Sequence, residues 1–159
     1  LNAISLRFFN VFGPHQNNDS SYASVIPIFI HRMLQGDSPI IYGNGEQTRD
    51  FIHVHDVAKT IFSMVDGGIS FGYSEANVCS GKRYSLLHLV NCINDVLLSN
   101  GIIKTPIHAE FEPAREGDII DSQGDNRRLR KMVEVSIGDD FVQGISDIIE
   151  YRANPKDSV

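Results

Sequence analysis

At 159 residues the chain is the size of one ordinary domain, and its 42% hydrophobic content suffices for a packed core, which argues against disorder. Fourteen basic against twenty acidic residues give a net charge of −6, a balance that disfavours non-specific nucleic-acid binding because that needs a basic face. No apolar run approaches the roughly 20 residues of a membrane-spanning helix; one of the longest, Val25 to Ile30, stops at His31 and Arg32.

In chain order, Ala3 to Val11 is apolar and rich in aromatics, as expected of one largely buried strand, ended by Gly13-Pro14. His15 to Ser21 reads as a loop. From Val25 to Leu34 apolar residues recur at helical spacing, with Pro27 in the first turn and Gly36 as the stop. Ile40 to Tyr42, the turn Gly43-Asn44-Gly45, and Thr48 to Ile52 together suggest a small hairpin. A second helix is expected from His55 to Val65, with Val57, Ile61, Phe62 and Val65 on its apolar side and Gly67-Gly68 closing it. Ala76 to Cys79 is a short strand. Ser85 caps a third helix that runs through Leu98, and Leu86, Leu89, Val90, Ile93 and Leu97 keep its period. Ile107 to Phe111 is a further strand candidate, and a last helix is expected between Asp140 and Tyr151. Strands and helices alternate, which argues for an α/β arrangement in one unit.

Several chemistries find no support in the residues. No Gly-x-Gly-x-x-Gly follows a strand, so the chain shows no dinucleotide phosphate cradle, and no Gly-x-Ser-x-Gly elbow is present. His53 and His55 have strand spacing and could face one metal, but no carboxylate or thiol completes the ligand set convincingly, so no metal site is expected. Cys79 and Cys92 lack metal-ligand spacing and read as buried free thiols. Together with the absence of a charged leader they point to a reducing, cytoplasmic setting. The cluster Arg127, Arg128, Arg130 and Lys131 reads as the solvated face of a short helix.

Two arginines remain, Arg49 in Glu-Gln-Thr-Arg-Asp-Phe and Arg115 in Pro-Ala-Arg-Glu-Gly-Asp. A planar guanidinium grips phosphate oxygens bidentately and stays charged at any working pH, so two that converge would suit a diphosphate. On spacing alone, solvated surface arginines are the more economical reading.

The run Leu6-Arg7-Phe8-Phe9-Asn10-Val11-Phe12-Gly13-Pro14 resembles a signature of the extended short-chain dehydrogenases/reductases, the NAD-dependent nucleotide-sugar epimerases, dehydratases and decarboxylases. The resemblance continues in register. Val25-Ile26-Pro27 opens the next helix, and Tyr42-Gly43-Asn44-Gly45-Glu46-Gln47-Thr48-Arg49-Asp50-Phe51-Ile52-His53-Val54 is similar to the family's "YGxGxQxRDFxxV". Asn77-Val78, Ser85-Leu86 and Arg115-Glu116-Gly117-Asp118, like the family's "RxGD", follow in order.

The resemblance implies the last strands of a Rossmann-type parallel sheet plus the small C-terminal substrate-binding domain, with residues 1–159 as the nucleotide-sugar-binding portion. The family's Gly-rich loop and catalytic Tyr-x-x-x-Lys lie upstream of the Leu6–Pro14 segment, and neither occurs here, so no catalytic residue is assigned and the chain alone is expected to be inactive. It also implies that Phe8 lies near the nicotinamide of NAD, Phe9 beside the sugar, and Asn10 on the phosphates. Ile26, Ile41 and Tyr42 would line the base and ribose pocket, Arg49 and Arg115 would clamp the diphosphate, and Asp118 would accept from a ribose hydroxyl. Asn77 would face the substrate, although Cys79 stands where the family usually has Gly. Ser122, four residues after Asp118, would leave room for an N-acetyl group at the sugar's C2. The implied partner is a UDP-sugar or another nucleotide-sugar, and the implied assembly is a homodimer of a longer protein. Of the family's reactions, 4-epimerisation of UDP-glucose or UDP-N-acetylglucosamine is the one implied best; the 4,6-dehydratases, the UDP-glucuronate decarboxylases and a non-catalytic nucleotide-sugar binding module stay open as alternatives. A strand at Ala3–Val11 without upstream neighbours would leave an exposed edge, from which self-association or aggregation is expected.

Overall fold

The computed structural model describes residues 3–16, 24–67, 72–134, 137–138 and 140–153; most of the expected loop from His15 to Ser21, and Gly68, lie outside them. It is a mixed α/β structure in which parallel pairing dominates. Strand β1 (Ala3–Phe8) runs parallel to β6 (Tyr73–Val78), β2 (Asn10–Phe12) to β5 (Phe51–His53), and β3 (Ile40–Tyr42) to β8 (Glu110–Glu112). One short antiparallel pair joins β4 (Thr48–Arg49) to β7 (Tyr84–Ser85).

The helices form where periodicity places them. Helix α1 (Val25–Leu34) carries Pro27 in its first turn, and Gly36, at φ 82°, takes the left-handed conformation just past its end. Helix α2 spans Val54–Asp66. In α3 (Leu86–Ser99) the Ser85 hydroxyl accepts from the His88 N–H, the expected cap. Helices α4 (Arg127–Met132) and α5 (Phe141–Ala153) follow.

Two apolar clusters result. The larger lies among α1, α3 and α5, where Phe29, Ile30, Met33, Leu89, Ile93, Leu97, Ile145 and Ile149 exclude water. The smaller sits under β6 and between α2 and α4, around Ile52, Val57, Met64, Val78, Leu129 and Val133.

Four expectations are corrected. The single buried strand over Ala3–Val11 is two strands broken at Phe9. There the chain changes partners: the Phe9 N–H donates to Val78 O on β6, and the Asn10 N–H to Asp50 O beside β5. Nor is β1 largely buried; Phe8 is half exposed.

The hairpin does not form. Gly43 and Gly45 do turn the chain at φ 90° and 80°, but β3 pairs with β8, some 70 residues onward, while β4 and β5 find other partners. The Gln47 side chain occupies the Tyr42 carbonyl at 2.6 Å, and a Cβ at Gly45 would sit 2.8 Å from Leu87 Cγ. The loop is thus held against α3 instead of folding back on β3.

Helix α2 is rotated relative to its apolar stripe. It buries Asp56, Val57, Thr60 and Met64, and leaves Ile61, Phe62 and Val65 exposed. Asp56 turns inward because its carboxylate accepts the Gly138 N–H at 2.8 Å, and Thr60 follows by donating to Asp56 O. The last expected strand begins at Glu110 instead of Ile107. The Asn94 side chain takes both the N–H and the carbonyl of Ile107, at 2.8 and 2.9 Å, so that residue has no backbone groups left for a ladder.

Asp50 ties these parts together. It is fully buried, and its carboxylate accepts from Ser80 N (2.8 Å), Ser80 Oγ (2.7 Å), Gly81 N (3.0 Å) and Gly124 N (2.9 Å). Its carbonyl accepts from the Asn10 amide at 2.9 Å. Both cysteines are buried free thiols, as expected.

Asp50→Asn keeps the shape but replaces one acceptor oxygen with an NH2 donor that faces other donors, leaving a buried N–H unpaired. It should lower unfolding free energy by about 2–4 kcal/mol in urea titration; a loss under about 1 kcal/mol would refute the role assigned to this carboxylate.

Burial, reinforced by the charge of Asp50, pushes the Cys79 thiol up to about 12 from an ordinary 9.0. Its folded pKa is raised, so the contribution to stability is present below pH 9.0 and is lost as pH climbs toward about 12. At pH 8 a thiol reagent should modify Cys79 only as fast as the protein unfolds, and prompt labelling of the native state would contradict this.

Candidate functional site

The loop after β3 and the segment that follows β8 face each other across a cleft of about 490 Å³. Its floor is apolar: Val25, Ile28 and Phe29 from α1, Ile40 from β3 and Leu86 from α3. Its polar rim holds Arg32, Tyr42, Gln47, Arg49, Arg115, Glu116 and Asp118. Three guanidinium groups from separate segments therefore share one concave surface.

Each is positioned differently. Arg49 is fixed by its surroundings: Nη1 donates to Thr48 O (2.8 Å) and Ile119 O (2.5 Å), and Nη2 to Asp118 Oδ1 at 2.6 Å. Arg115 sits over the Tyr42 ring, its Cζ 3.6 Å from the centroid, a cation–π arrangement. Arg32 is anchored by Nε to Ser38 O at 2.7 Å. Gly117, at φ 79°, allows the tight turn in which the Asp118 N–H returns to Arg115 O.

Of the residues singled out by resemblance, Tyr42, Arg49, Arg115 and Asp118 come together in this cleft. Ile26 and Ile41 do not. Both side chains have no exposed surface and belong to the core. Strand alternation turns Ile40 and Tyr42 to one face and Ile41 to the other, and helical geometry puts Val25, Ile28 and Phe29 on the cleft while Ile26 points inward. Asp118 is not a free acceptor, since its Oδ1 is engaged by Arg49.

Phe8, Phe9, Asn10, Asn77 and Ser122 lie away from the cleft lining. Phe9 packs close to Gly124, where a Cβ would meet its ring at 2.9 Å and Cys79 Sγ at 2.4 Å. Asn10 Nδ2 is committed to Asp50 O, and Asn77 Nδ2 donates to Asp125 O at 3.2 Å. The stretch from Arg115 to Asn126 connects the two groups of residues. It leaves the cleft at Asp118, bonds β4 through Ile120 O and the Asp121 carboxylate, passes Ser122, and is caught by Asp50 at Gly124.

Arg32, Gln47 and Glu116 were not anticipated. For Arg32 a signal existed: Val25, Ile28, Phe29 and Arg32 fall at i, i+3, i+4 and i+7, one face of α1. For Gln47 the signal was its fixed place in the Tyr42–Val54 motif, and for Glu116 only folding brings the evidence of position.

Residues 1–71 match the NAD dependent epimerase/dehydratase family. The UDP-N-acetyl-alpha-D-glucosaminuronate decarboxylase of Bacillus cytotoxicus is 30% identical over 92% of this chain and 44% of its own length. The UDP-glucose 4-epimerase of Mycolicibacterium smegmatis is 32% identical over 91% of this chain and 44% of its own. Among solved structures, the UDP-N-acetylglucosamine 4-epimerase from Methanobrevibacter ruminantium, in complex with UDP-N-acetylmuramic acid, superposes with a TM-score of 0.85 at 35% identity. That superposition covers 98% of this chain and 47% of the other. The chain thus spans about half the length of the relatives it matches. These matches place it in the NAD-dependent epimerase/dehydratase family, in correspondence with the C-terminal part of its members. No helix among the described residues is long and apolar enough to cross a membrane.

The stacking of Arg115 on Tyr42 has a direct spectroscopic signature. Ring current should shift the Arg115 side-chain protons upfield; Tyr42→Phe should keep that shift and Tyr42→Leu abolish it. Ordinary shifts in the unsubstituted protein would show that the two groups do not stack in solution.

Proposed function

We propose that this chain is the part of a NAD-dependent nucleotide-sugar epimerase that holds the nucleotide diphosphate-sugar, with a UDP-glucose/UDP-N-acetylglucosamine 4-epimerase as the specific reading. The observation that carries it is the meeting of Arg49 and Arg115, 66 positions apart in sequence, in one cleft with an apolar floor. A dianion needs more than one cation in a concave, partly dry setting, and a base needs apolar faces; the cleft offers both.

In this reading Arg49, held rigid by Asp118 and two carbonyls, meets one phosphate, and Arg115, braced on Tyr42, meets the other. The Asp118 Oδ2, the carboxylate oxygen that does not pair with Arg49, accepts from a ribose hydroxyl. The sugar extends along the Arg115–Asn126 stretch toward Phe9, Asn77 and Ser122. Grip on the nucleotide then supplies binding energy remote from the reacting carbons, which orients the sugar while it reacts.

The residues present do not by themselves fit a dinucleotide. There is no Gly-rich strand-to-helix turn, and toward a nicotinamide they offer only the half-exposed Phe8 at the end of β1. NAD in this reading is bound mainly by another part of a longer protein that dimerises and works in the cytoplasm, and no reaction step is assigned to the chain. The Bacillus relative favours a second reading, decarboxylation of a sugar acid.

Calorimetric titration with UDP, UDP-N-acetylglucosamine, UDP-glucose and UDP-glucuronate tests both. Micromolar UDP binding is expected, with Arg49→Lys and Arg115→Lys each weakening it about tenfold, or about 1.4 kcal/mol. The small Ser122 predicts that UDP-N-acetylglucosamine binds at least as well as UDP-glucose. Clear preference for UDP-glucuronate would favour the decarboxylase, and no measurable UDP binding would defeat both readings.

A further inference from the structure

Where β5 runs into α2, His53 and His55 flank Val54 with their rings 4.7 Å apart and perpendicular. Sequence offered no third ligand. The fold supplies one from α5: Asp147 Oδ2 lies 3.9 Å from His53 Nε2. One ligand atom from each of the three residues lies within 4.8 Å of the others.

Two further observations point to an occupant. His53 is 6% exposed, and its Nε2 is buried with no hydrogen-bond partner, which is costly for an imidazole nitrogen. The ring is also held in place. It packs edge-on against Phe12 at 5.3 Å, and a Cβ on Gly144 of α5 would come within 2.7 Å of its Cδ2. A Cβ on Gly13 would come within 3.5 Å of the orphan Nε2 itself. Gly144 thus lets α5 approach the ring, and Asp147, three residues on, delivers its carboxylate to the same spot. The other carboxylate oxygen, Oδ1, accepts from Gln143 at 2.9 Å, which orients Oδ2 toward His53.

We propose that His53, His55 and Asp147 form a binding site for a divalent first-row transition cation, with Zn²⁺ as the best match. Two imidazoles and a carboxylate suit zinc and leave a fourth position for water. Tetrahedral zinc at about 2.0–2.1 Å from each ligand sets them roughly 3.4 Å apart. The 3.9 Å pair closes with a small shift, and exposed His55 is free to swing inward. The ion reaches the site from the surface past His55 and Asp147, and it clips α5 to the β5–α2 junction.

Co²⁺ titration of the protein, followed by the visible bands of low-coordinate cobalt, and Zn²⁺ calorimetry test this. One equivalent should bind with micromolar affinity, and saturating Zn²⁺ should raise Tm by about 5 °C. His55→Gln and Asp147→Asn, both at accessible positions, should each weaken binding at least tenfold while leaving the circular dichroism unchanged. The His88–Cys92 pair, with Nε2 and Sγ 3.3 Å apart, is the rival binder among the described residues. Binding that survives both substitutions but is lost in His88→Gln, or the absence of saturable binding at one equivalent, overturns the proposal.

Discussion

A carboxylate with no access to water must be surrounded by donors, and around Asp50 the donors to its side chain and main chain come from three places that are far apart along the chain. Ser80 and Gly81, which follow β6, and Gly124, which ends the stretch that begins at Arg115, donate to the carboxylate, while Asn10, which opens β2, donates to the main-chain carbonyl of the same residue. Leaving any of them unpaired would strand a buried acceptor, so the requirement acts as a positional constraint on all three segments. It fixes where β1 gives way to β2. It also fixes the path of the irregular Arg115–Asn126 stretch, which contains no regular strand of its own to hold it.

The cleft depends on that path. Arg49 is the residue before Asp50, so the guanidinium emerges from the same anchor that pins the far end of the Arg115 stretch. Thr48 and Arg49 then bind this stretch directly, through the carbonyls of Ile119 and Ile120 and the side chains of Asp118 and Asp121. A short, weakly paired β4 can therefore present Arg49 rigidly, because side-chain and main-chain bonds to a neighbouring segment replace a long ladder. Arg115 is steadied in another way, by an aromatic face instead of an acid. One cation is rigid and the other adaptable, a combination suited to gripping a flexible anion.

The apolar surfaces divide along similar lines. The cluster among α1, α3 and α5 is closed and carries the cleft on its outer side. Around β1 and α2 the burial is incomplete: Phe8, Ile61, Phe62, Val65 and Tyr73 are all exposed. The relatives matched here are about twice as long. The cluster that forms a complete core is the one that bears the cleft.

Sequence by itself determined the helices and their stops. The 3.6-residue period, the Ser85 cap and the glycines at positions 36 and 67 are local signals, and local signals survive without tertiary context. It also determined the family, because several ordered motifs in register are specific even where each alone is weak, and through the family it pointed to Tyr42, Arg49, Arg115 and Asp118. What only the tertiary structure decided was pairing and direction. Strands of three residues cannot choose partners from their own pattern, so the apparent hairpin at Ile40–Ile52 dissolved into three separate pairings. A helix stripe can also be overruled by one buried acid, as Asp56 does in α2. Ile26 and Ile41 turned into the core through a rotation of one residue, and Asp147 met His53 across 94 positions of chain. These outcomes rest on long-range packing and on finding a donor for every buried acceptor, conditions that exist only once the whole chain is folded.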